Sequence, residues 1–111
     1  MNTRVLIIED EISLRNSLKK LLELKRFKVT EAGDFKNAEK KLISDTFEIF
    51  ILDLRLPDKN GMELLIKYPE KMEGKTIIIT AHATIQSAVE AIKNGAFSYL
   101  EKPLDEELLF V

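Results

Sequence analysis

Cysteine is absent from this sequence of 111 residues, and histidine occurs once, as His82. Without cysteine the protein has no disulfides, no thiolate metal ligands and no thiol nucleophile, and one histidine cannot supply a zinc motif that needs two. The four glycines lie far apart, which excludes the glycine-rich loops of dinucleotide and nucleoside triphosphate sites. Chemistry in this protein must therefore depend on carboxylates, hydroxyls and lysines.

An excess of basic residues is also missing, because 17 lysines and arginines face 19 aspartates and glutamates. The net charge of -2 argues against direct binding of nucleic acid. The sequence contains no long apolar run and does not open with a signal segment, so we expect no membrane partner and a cytoplasmic location. Its size and its content of 45% hydrophobic and 32% charged residues indicate one globular domain, residues 1–111.

Two hydrophobic periodicities alternate along the chain. Short apolar or β-branched runs, typical of strands, occupy residues 3–8, 28–32, 49–52, 76–79 and 98–101. Apolar residues at helical spacing predict helices that contain residues 13–25, 35–42, 62–66, 85–92 and 105–111, the last cut short by the end of the sequence. This alternation predicts right-handed βαβ units and a parallel sheet covered on both faces, a doubly wound α/β fold.

Local signals fix some details of these helices. Asp34 is a typical N-cap for the second helix, and Gly95 is a typical residue to end the fourth. In the third helix we expect Met62, Leu65 and Ile66 to face the core.

Chemically complementary side chains follow four of the predicted strands. Glu9 and Asp10 follow the first strand, Asp53 the third, Thr80 the fourth and Lys102 the fifth. In doubly wound sheets the functional crevice lies beyond the carboxyl ends of the strands, so we expect these side chains to converge. Three carboxylates at close range repel one another, and a hard divalent cation such as Mg²⁺ would offset that repulsion. The cation and the lysine together would form a site for a phosphoryl group.

Each of these residues also has a purely structural interpretation. Asp10 could cap the first helix, and Glu9 could belong to a solvated acidic turn. Thr80 is an ordinary residue at a strand end, and Lys102 could be a surface lysine. Asp53 is harder to explain structurally, because buried strands rarely end in an acid. The coincidence of all five at strand ends favours one site.

The motifs around these residues resemble the receiver domains of two-component response regulators, over nearly the whole chain. The resemblance also extends to the NtrC type, whose members activate sigma-54-dependent transcription. The resemblance to receiver domains is carried by Glu9-Asp10, Asp53 in LDLRLPDKNG, Thr80-Ala81 in IIITAHA, and Tyr99 with Lys102-Pro103 in YLEKP. The resemblance to the NtrC type is carried by the stretch ITAHATIQSAVEAIKNGAFSYLEKPLD. Asn60 departs from the aspartate that more often precedes this glycine, although it suits the left-handed conformation that we expect there.

The resemblance implies a flavodoxin-like sheet with strand order 2-1-3-4-5 and a phosphorylation chemistry at Asp53. In the family, the aspartate at this position accepts a phosphoryl group from a sensor histidine kinase. The resemblance further implies that Asp10, Asp53 and the backbone carbonyl of Arg55 bind Mg²⁺, with Glu9 acting through water. The domain would then be a regulatory switch that assists its own phosphorylation and slow dephosphorylation, and not a metabolic enzyme.

The resemblance also implies how such a switch transmits its state. Lys102 would pair with the phosphoryl group, and Thr80 would donate its hydroxyl to it. Tyr99 would rotate into the vacated space and change the surface made by the helix over 85–92 and the fifth strand. Tyr99 could instead be a plain core aromatic. Implied partners are the kinase, an output domain in the parent protein, and a second copy of the chain.

The sequence leaves open two alternative functions from other classes of protein. A small Mg²⁺-dependent phosphohydrolase of the aspartyl-phosphate type would need a second aspartate two positions after Asp53, where Arg55 stands. A flavodoxin-like flavin binder would need a phosphate-binding loop after the first strand, where Glu9 and Asp10 would repel the phosphate.

Overall fold

Five parallel strands form a single sheet in the computed structural model of the protein, which describes residues 3–104. The strand order is β2-β1-β3-β4-β5, and all neighbouring strands are parallel. The predicted doubly wound α/β fold and its strand order are thereby confirmed. The strands are β1 (Arg4–Ile8), β2 (Lys28–Ala32), β3 (Ile49–Asp53), β4 (Thr76–Thr80) and β5 (Ser98–Glu101).

Helices cover both faces of this sheet. In the described part of the chain they are α1 (Ile12–Leu24), α2 (Phe35–Ser44), α3 (Met62–Lys67), α4 (Pro69–Met72) and α5 (Ile85–Lys93). Apolar side chains of α1 pack against one face, and those of α2 to α5 pack against the other. Within residues 3–104, no helix combines the length and the apolar character that crossing a membrane requires. The helix predicted over 105–111 lies outside the described residues.

The central strands are apolar at consecutive positions because each of their faces meets a helical layer. In β1, Val5 and Ile7 pack on the α1 side, whereas Leu6 and Ile8 pack on the side of the other helices. Side chains alternate between the faces of a strand, so a run without polar interruptions is buried throughout. This core holds the carboxyl ends of β1 and β3 rigidly beside each other.

The predicted helix ends are largely confirmed. Asp34 caps α2, since its Oδ1 accepts the backbone N–H of Asn37 at 2.7 Å. Gly95 follows α5 with a φ of 95°, and a Cβ there would press against the side chain of Glu73. A left-handed backbone and a close neighbour both favour glycine at this position.

The predicted inner face of the third helix is partly wrong. Met62 and Leu65 are buried as expected, but Ile66 is 51% exposed and Leu64 is buried instead. The helix is short: α3 ends at Lys67, and a separate turn, α4, starts at Pro69. In a helix of six residues the flanking turns set the orientation, so the apolar spacing alone does not determine its buried face.

The apolar stripe of α5 largely faces solvent. Ile85, Val89 and Ile92 are all more than half exposed, and Ala91 is the buried residue among the nine of this helix. Phe97, which follows α5, is 66% exposed as well. The helical spacing correctly predicted a helix here, but it could not show that most of the apolar stripe faces solvent instead of the core.

Candidate functional site

Asp53 lies at the carboxyl end of β3 with its side chain held from two directions. It is 3% exposed, although it is an ionisable residue at the end of an apolar strand. Its Oδ1 accepts the backbone N–H of Arg55 at 3.0 Å, and its Oδ2 accepts a hydrogen bond from Lys102 Nζ at 2.9 Å. These two contacts fix the orientation of the carboxylate.

Glu9 lies next to Asp53, directly after the neighbouring strand β1, and its side chain is fully buried. One of its oxygens, Oε1, is 2.6 Å from Lys102 Nζ, and the other accepts the backbone N–H of Glu11 at 3.1 Å. Lys102 therefore forms ion pairs with two buried carboxylates that come from two different strands.

Burial and charge act against each other in this cluster. Burial raises the pKa of Glu9 to about 7, since the pairing with Lys102 only partly offsets the loss of solvent and the nearby Asp53 adds repulsion. For Lys102, burial disfavours the charged form, but the hydrogen bonds to Glu9 and Asp53 dominate and its pKa is raised. Burial thus disfavours the charged form of Glu9, whereas the two carboxylates favour the charged form of Lys102.

Asp10 completes a group of three carboxylates. An oxygen of each of Glu9, Asp10 and Asp53 lies within 4.8 Å of the others, and Asp10 is the exposed member of the group. Asp10 does not cap α1, because Glu11 occupies the N-cap position and makes no side-chain capping bond. The structural interpretation of Asp10 as a helix cap is therefore wrong.

This donor set fits a hard divalent cation. Three carboxylates face a single lysine, so the cluster carries more negative than positive charge when all of them are ionised. All three supply oxygen, the ligand atom that Mg²⁺ and Ca²⁺ prefer, and the exposed Asp10 leaves the group open to solvent. A small ion that keeps several of its waters suits an opening of this kind.

The loop of residues 54–61 leads from Asp53 to α3 and is closed at its base. The Gly61 N–H donates to the Leu54 carbonyl at 2.8 Å, and Arg55 and Asn60 form an antiparallel bridge. A Cβ at Gly61 would overlap the Asp53 carbonyl oxygen, so only glycine allows this approach. Sequence reasoning did not find this role, although the LDLRLPDKNG motif already contains the glycine.

Asn60 does not adopt the expected left-handed conformation. The described non-glycine residue with a positive φ is Arg26, far from this loop. The backbone of Asn60 is instead constrained by the bridge to Arg55, and its side-chain Oδ1 accepts the Met62 N–H at 2.9 Å. Asparagine thus serves the first turn of α3, which explains its presence without a left-handed turn.

Thr80 lies at the carboxyl end of β4 and is 2% exposed. Its hydroxyl oxygen accepts the backbone N–H of His82 at 3.2 Å, and its carbonyl accepts the Lys102 N–H at 2.8 Å. The backbone of Lys102 is thereby fixed to β4, next to the cis peptide bond that joins it to Pro103. The side chains of Arg55 and His82 are exposed.

Tyr99 in β5 contacts both the core and α5. Its half-buried ring packs against the apolar core on the side of the sheet covered by α2 to α5, and its hydroxyl is hydrogen-bonded to Ser87 Oγ. Ser87 forms a capping box with Thr84 at the start of α5. Sequence reasoning missed the bond between Ser87 and Tyr99, because it depends on the phase of α5 and the register of β5 together.

A sequence model of the response regulator receiver domain matches residues 5–111. The chain belongs to the response regulator receiver domain family. Receiver domains are signalling domains whose state depends on phosphorylation, and not classical enzymes. Membership in this family favours the regulatory interpretation over the phosphohydrolase and the flavin binder.

Relatives of this receiver domain include regulators of the NtrC type. The C4-dicarboxylate transport transcriptional regulatory protein DctD of Pseudomonas aeruginosa is 34% identical over 108 residues, which cover 96% of this chain and 23% of DctD. The receiver domain thus spans about a quarter of that relative. The response regulator ArlR of Staphylococcus saprophyticus is 36% identical, over 96% of this chain and 49% of ArlR.

Solved structures agree with the fold. The beryllofluoride-activated NtrC4 receiver domain dimer is 35% identical with a TM-score of 0.88, over 96% of this chain and 89% of that one. A response regulator from Burkholderia pseudomallei, with a phosphorylated aspartic acid, a calcium ion and citrate, is 28% identical with a TM-score of 0.89, over 98% of this chain and 65% of that one. Receiver domains bind a divalent metal at their acidic pocket.

Proposed function

We propose that Asp53 of this receiver domain accepts a phosphoryl group from a sensor histidine kinase, and that the surface formed by α5 and β5 passes the change to an output domain. The observation that carries the proposal is the setting of Asp53. Its buried carboxylate is held by the Arg55 N–H and by Lys102, beside two further carboxylates from the end of β1. Such preorganisation suits a nucleophile that must meet a highly charged group.

We further propose Mg²⁺ as the metal, bound by Asp10, Asp53 and the backbone carbonyl of Arg55, with Glu9 acting through water. The oxygen donors and the excess of negative charge in the cluster support this assignment. The calcium ion in the Burkholderia pseudomallei structure supports a hard divalent cation in general. When bound, Mg²⁺ would neutralise charge on the oxygens of the phosphoryl group.

The transfer is a substitution at phosphorus. One Asp53 carboxylate oxygen forms a new O–P bond while the P–N bond of the phosphohistidine breaks, and the electron pair of that bond stays on the imidazole. Lys102 already contacts Asp53 Oδ2, so its ammonium group would remain close to the phosphoryl oxygens in the product. The same groups would support the slow hydrolysis that resets the domain.

We propose Thr80 and Tyr99 as the residues that convert phosphorylation into a surface change. The Thr80 hydroxyl would donate to a phosphoryl oxygen, and the loop after β4 would follow it, since His82 is hydrogen-bonded to that hydroxyl. Tyr99 would then turn inwards and give up its bond to Ser87. Because Ser87 caps α5, this movement would alter the start of that helix.

The partners follow from the same proposal. The output domain would lie in the parent protein, as the length of DctD supports, with transcription as the regulated process. The beryllofluoride-activated NtrC4 receiver domain dimer supports homodimer formation. A cytoplasmic location would bring the domain to its kinase, and residues 1–111 would act as one receiver unit without direct contact to nucleic acid or membrane.

Phosphorylation by a small acyl phosphate in the presence of Mg²⁺ tests the proposal. The wild-type protein should gain the mass of one phosphoryl group, and Asp53→Asn should gain none. Asp45→Asn is a matched control, because Asp45 pairs with Arg4 outside the acidic cluster. Uptake by Asp53→Asn at the wild-type rate would show that another residue is the acceptor.

A further inference from the structure

The loop of residues 54–61 contacts the start of α2 through Asp58. Its Oδ1 accepts the backbone N–H of Phe35 at 2.8 Å, and its Oδ2 accepts the N–H of Lys36 at 3.1 Å. The partners are 23 and 22 residues away in the sequence. Lys59, the next residue of the loop, places its ammonium 4.9 Å from the centre of the Phe35 ring. The tip of the loop is thus attached to α2 by two side chains.

Asp58 is not the ordinary cap of α2, because Asp34 already fills that role. Asp34 accepts the N–H of Asn37, whereas Asp58 accepts the N–H groups of the first two residues of α2. The Phe35 amide holds the pKa of Asp58 below its usual range, so a charged carboxylate meets the positive end of the helix dipole. The start of α2 is therefore bound by two carboxylates, one from its own N-cap and one from the loop.

Through this loop the contact reaches Asp53. The bridge between Arg55 and Asn60 and the Gly61 N–H bond to Leu54 close the base of the loop, so tip and base form one tied segment. At that base, the Arg55 N–H donates to Asp53 Oδ1. A shift of the tip would therefore disturb the amide that orients Asp53.

We propose that Asp58 is a positioning residue for the phosphoacceptor site. By attaching the loop to α2, it keeps the Arg55 backbone where its N–H orients Asp53 and its carbonyl is available to Mg²⁺. The part that concerns the carbonyl rests on the proposed function, whereas the part that concerns the Arg55 N–H does not. Asp58 acts through Arg55 and touches neither metal nor phosphoryl group.

The test compares Asp58→Ala with Asp34→Ala. Both variants remove a carboxylate that caps α2, so both should lower stability to a similar degree. Only Asp58→Ala releases the loop. Two quantities are measured in each variant: the hydrogen-exchange rate of the Arg55 amide in metal-free protein, and the Mg²⁺ dissociation constant from amide chemical shifts.

We expect faster exchange of the Arg55 amide in Asp58→Ala and a Mg²⁺ dissociation constant raised about tenfold, the scale seen when a partner that orients a metal ligand is lost. Asp34→Ala should leave both quantities at wild-type values. Asp58→Asn keeps one acceptor oxygen, so its exchange rate and Mg²⁺ dissociation constant should be intermediate between those of wild type and Asp58→Ala. It replaces Asp58→Ala if that variant does not fold. Equal values in the Asp34 and Asp58 variants would overturn the proposal. If wild-type protein binds no Mg²⁺, the proposed metal site fails, but the exchange rates still decide the role of Asp58.

Discussion

The carboxyl ends of β1 and β3 and the surface of α5 and β5 are held in very different ways. The first region is fixed by buried strands, by Lys102 between two carboxylates, and by a loop closed at its base. In the second region α5 buries a single residue, Ala91, and every residue of β5 is at least partly exposed. The link between α5 and β5 includes the hydrogen bond between the hydroxyls of Ser87 and Tyr99.

This difference matches the two tasks of a receiver domain. Phosphoryl transfer needs groups that are already in place, and such groups are best carried by rigid elements. A response to phosphorylation needs an element with another accessible arrangement at low free-energy cost, and such elements bury few apolar contacts. The proposed function thus assigns the chemistry and the response to two parts of one sheet that differ in packing.

Removal of Lys102 is the largest perturbation we predict for the rigid region. Lys102→Ala leaves Glu9 and Asp53 buried without their shared cation, so the free energy of unfolding of metal-free protein should fall by about 2–4 kcal/mol. Denaturant unfolding measures this change, and Lys75→Ala, which removes an exposed lysine, is the control. An unchanged midpoint for Lys102→Ala would mean that the ion pairs contribute nothing to the stability of the folded protein.

The raised pKa of Glu9 predicts an unusual pH dependence. Its folded-state pKa of about 7 lies above the ordinary value of 4.5, so protonation favours the folded state, and stability rises as the pH falls from 7 towards 4.5. The gain for metal-free protein between pH 7 and pH 5 should be on the order of 2 kcal/mol. Below that window, carboxyls with lowered pKa values, such as Asp45, lose their native interactions.

The charged side chains near Glu9 include Asp10, Asp53 and Lys102, and the Glu9→Gln variant separates its contribution from theirs. We would measure the free energy of unfolding in chelator at pH 7, 6 and 5. It should rise as the pH falls in the wild-type protein and stay nearly constant in Glu9→Gln. A rise of the same size in both proteins would assign the titration to another group.

A smaller effect is expected from Asp10, the exposed member of the carboxylate cluster. Asp10→Asn removes one of three like charges, so it should raise the stability of metal-free protein by about 0.5–1 kcal/mol and weaken Mg²⁺ binding strongly. Melting temperatures in chelator and Mg²⁺ titrations check the two parts. A lower melting temperature for Asp10→Asn in chelator would show that Asp10 has a structural role.

The sequence predicted the site through its strands. A buried run such as residues 49–52 determines where β3 lies, and an acid directly after it must be at the carboxyl end of the sheet. The parallel order then brings Asp53 beside Glu9. The rigid region was predictable because it depends on strand ends, whose position follows from hydrophobic pattern and topology together.

What the sequence did not predict depends on contacts between distant segments. The contact of Asp58 with the start of α2 spans 23 residues and has no local pattern. The exposure of Ile85 and Val89 was not predictable either, because a helical apolar stripe indicates a helix but not what covers it. Predicting the hydrogen bond between Ser87 and Tyr99 would need both the helix phase and the strand register.

The most direct test of the contrast is an amide chemical-shift comparison before and after addition of beryllofluoride, a phosphoryl mimic, with Mg²⁺. Outside the acidic pocket, we expect the largest changes in α5 and β5, with α1 and β2 nearly unchanged. In Thr80→Ala the pocket residues should still respond, while the changes in α5 and β5 should be much smaller. A response of α5 and β5 that is absent in wild type, or undiminished in Thr80→Ala, would contradict the account.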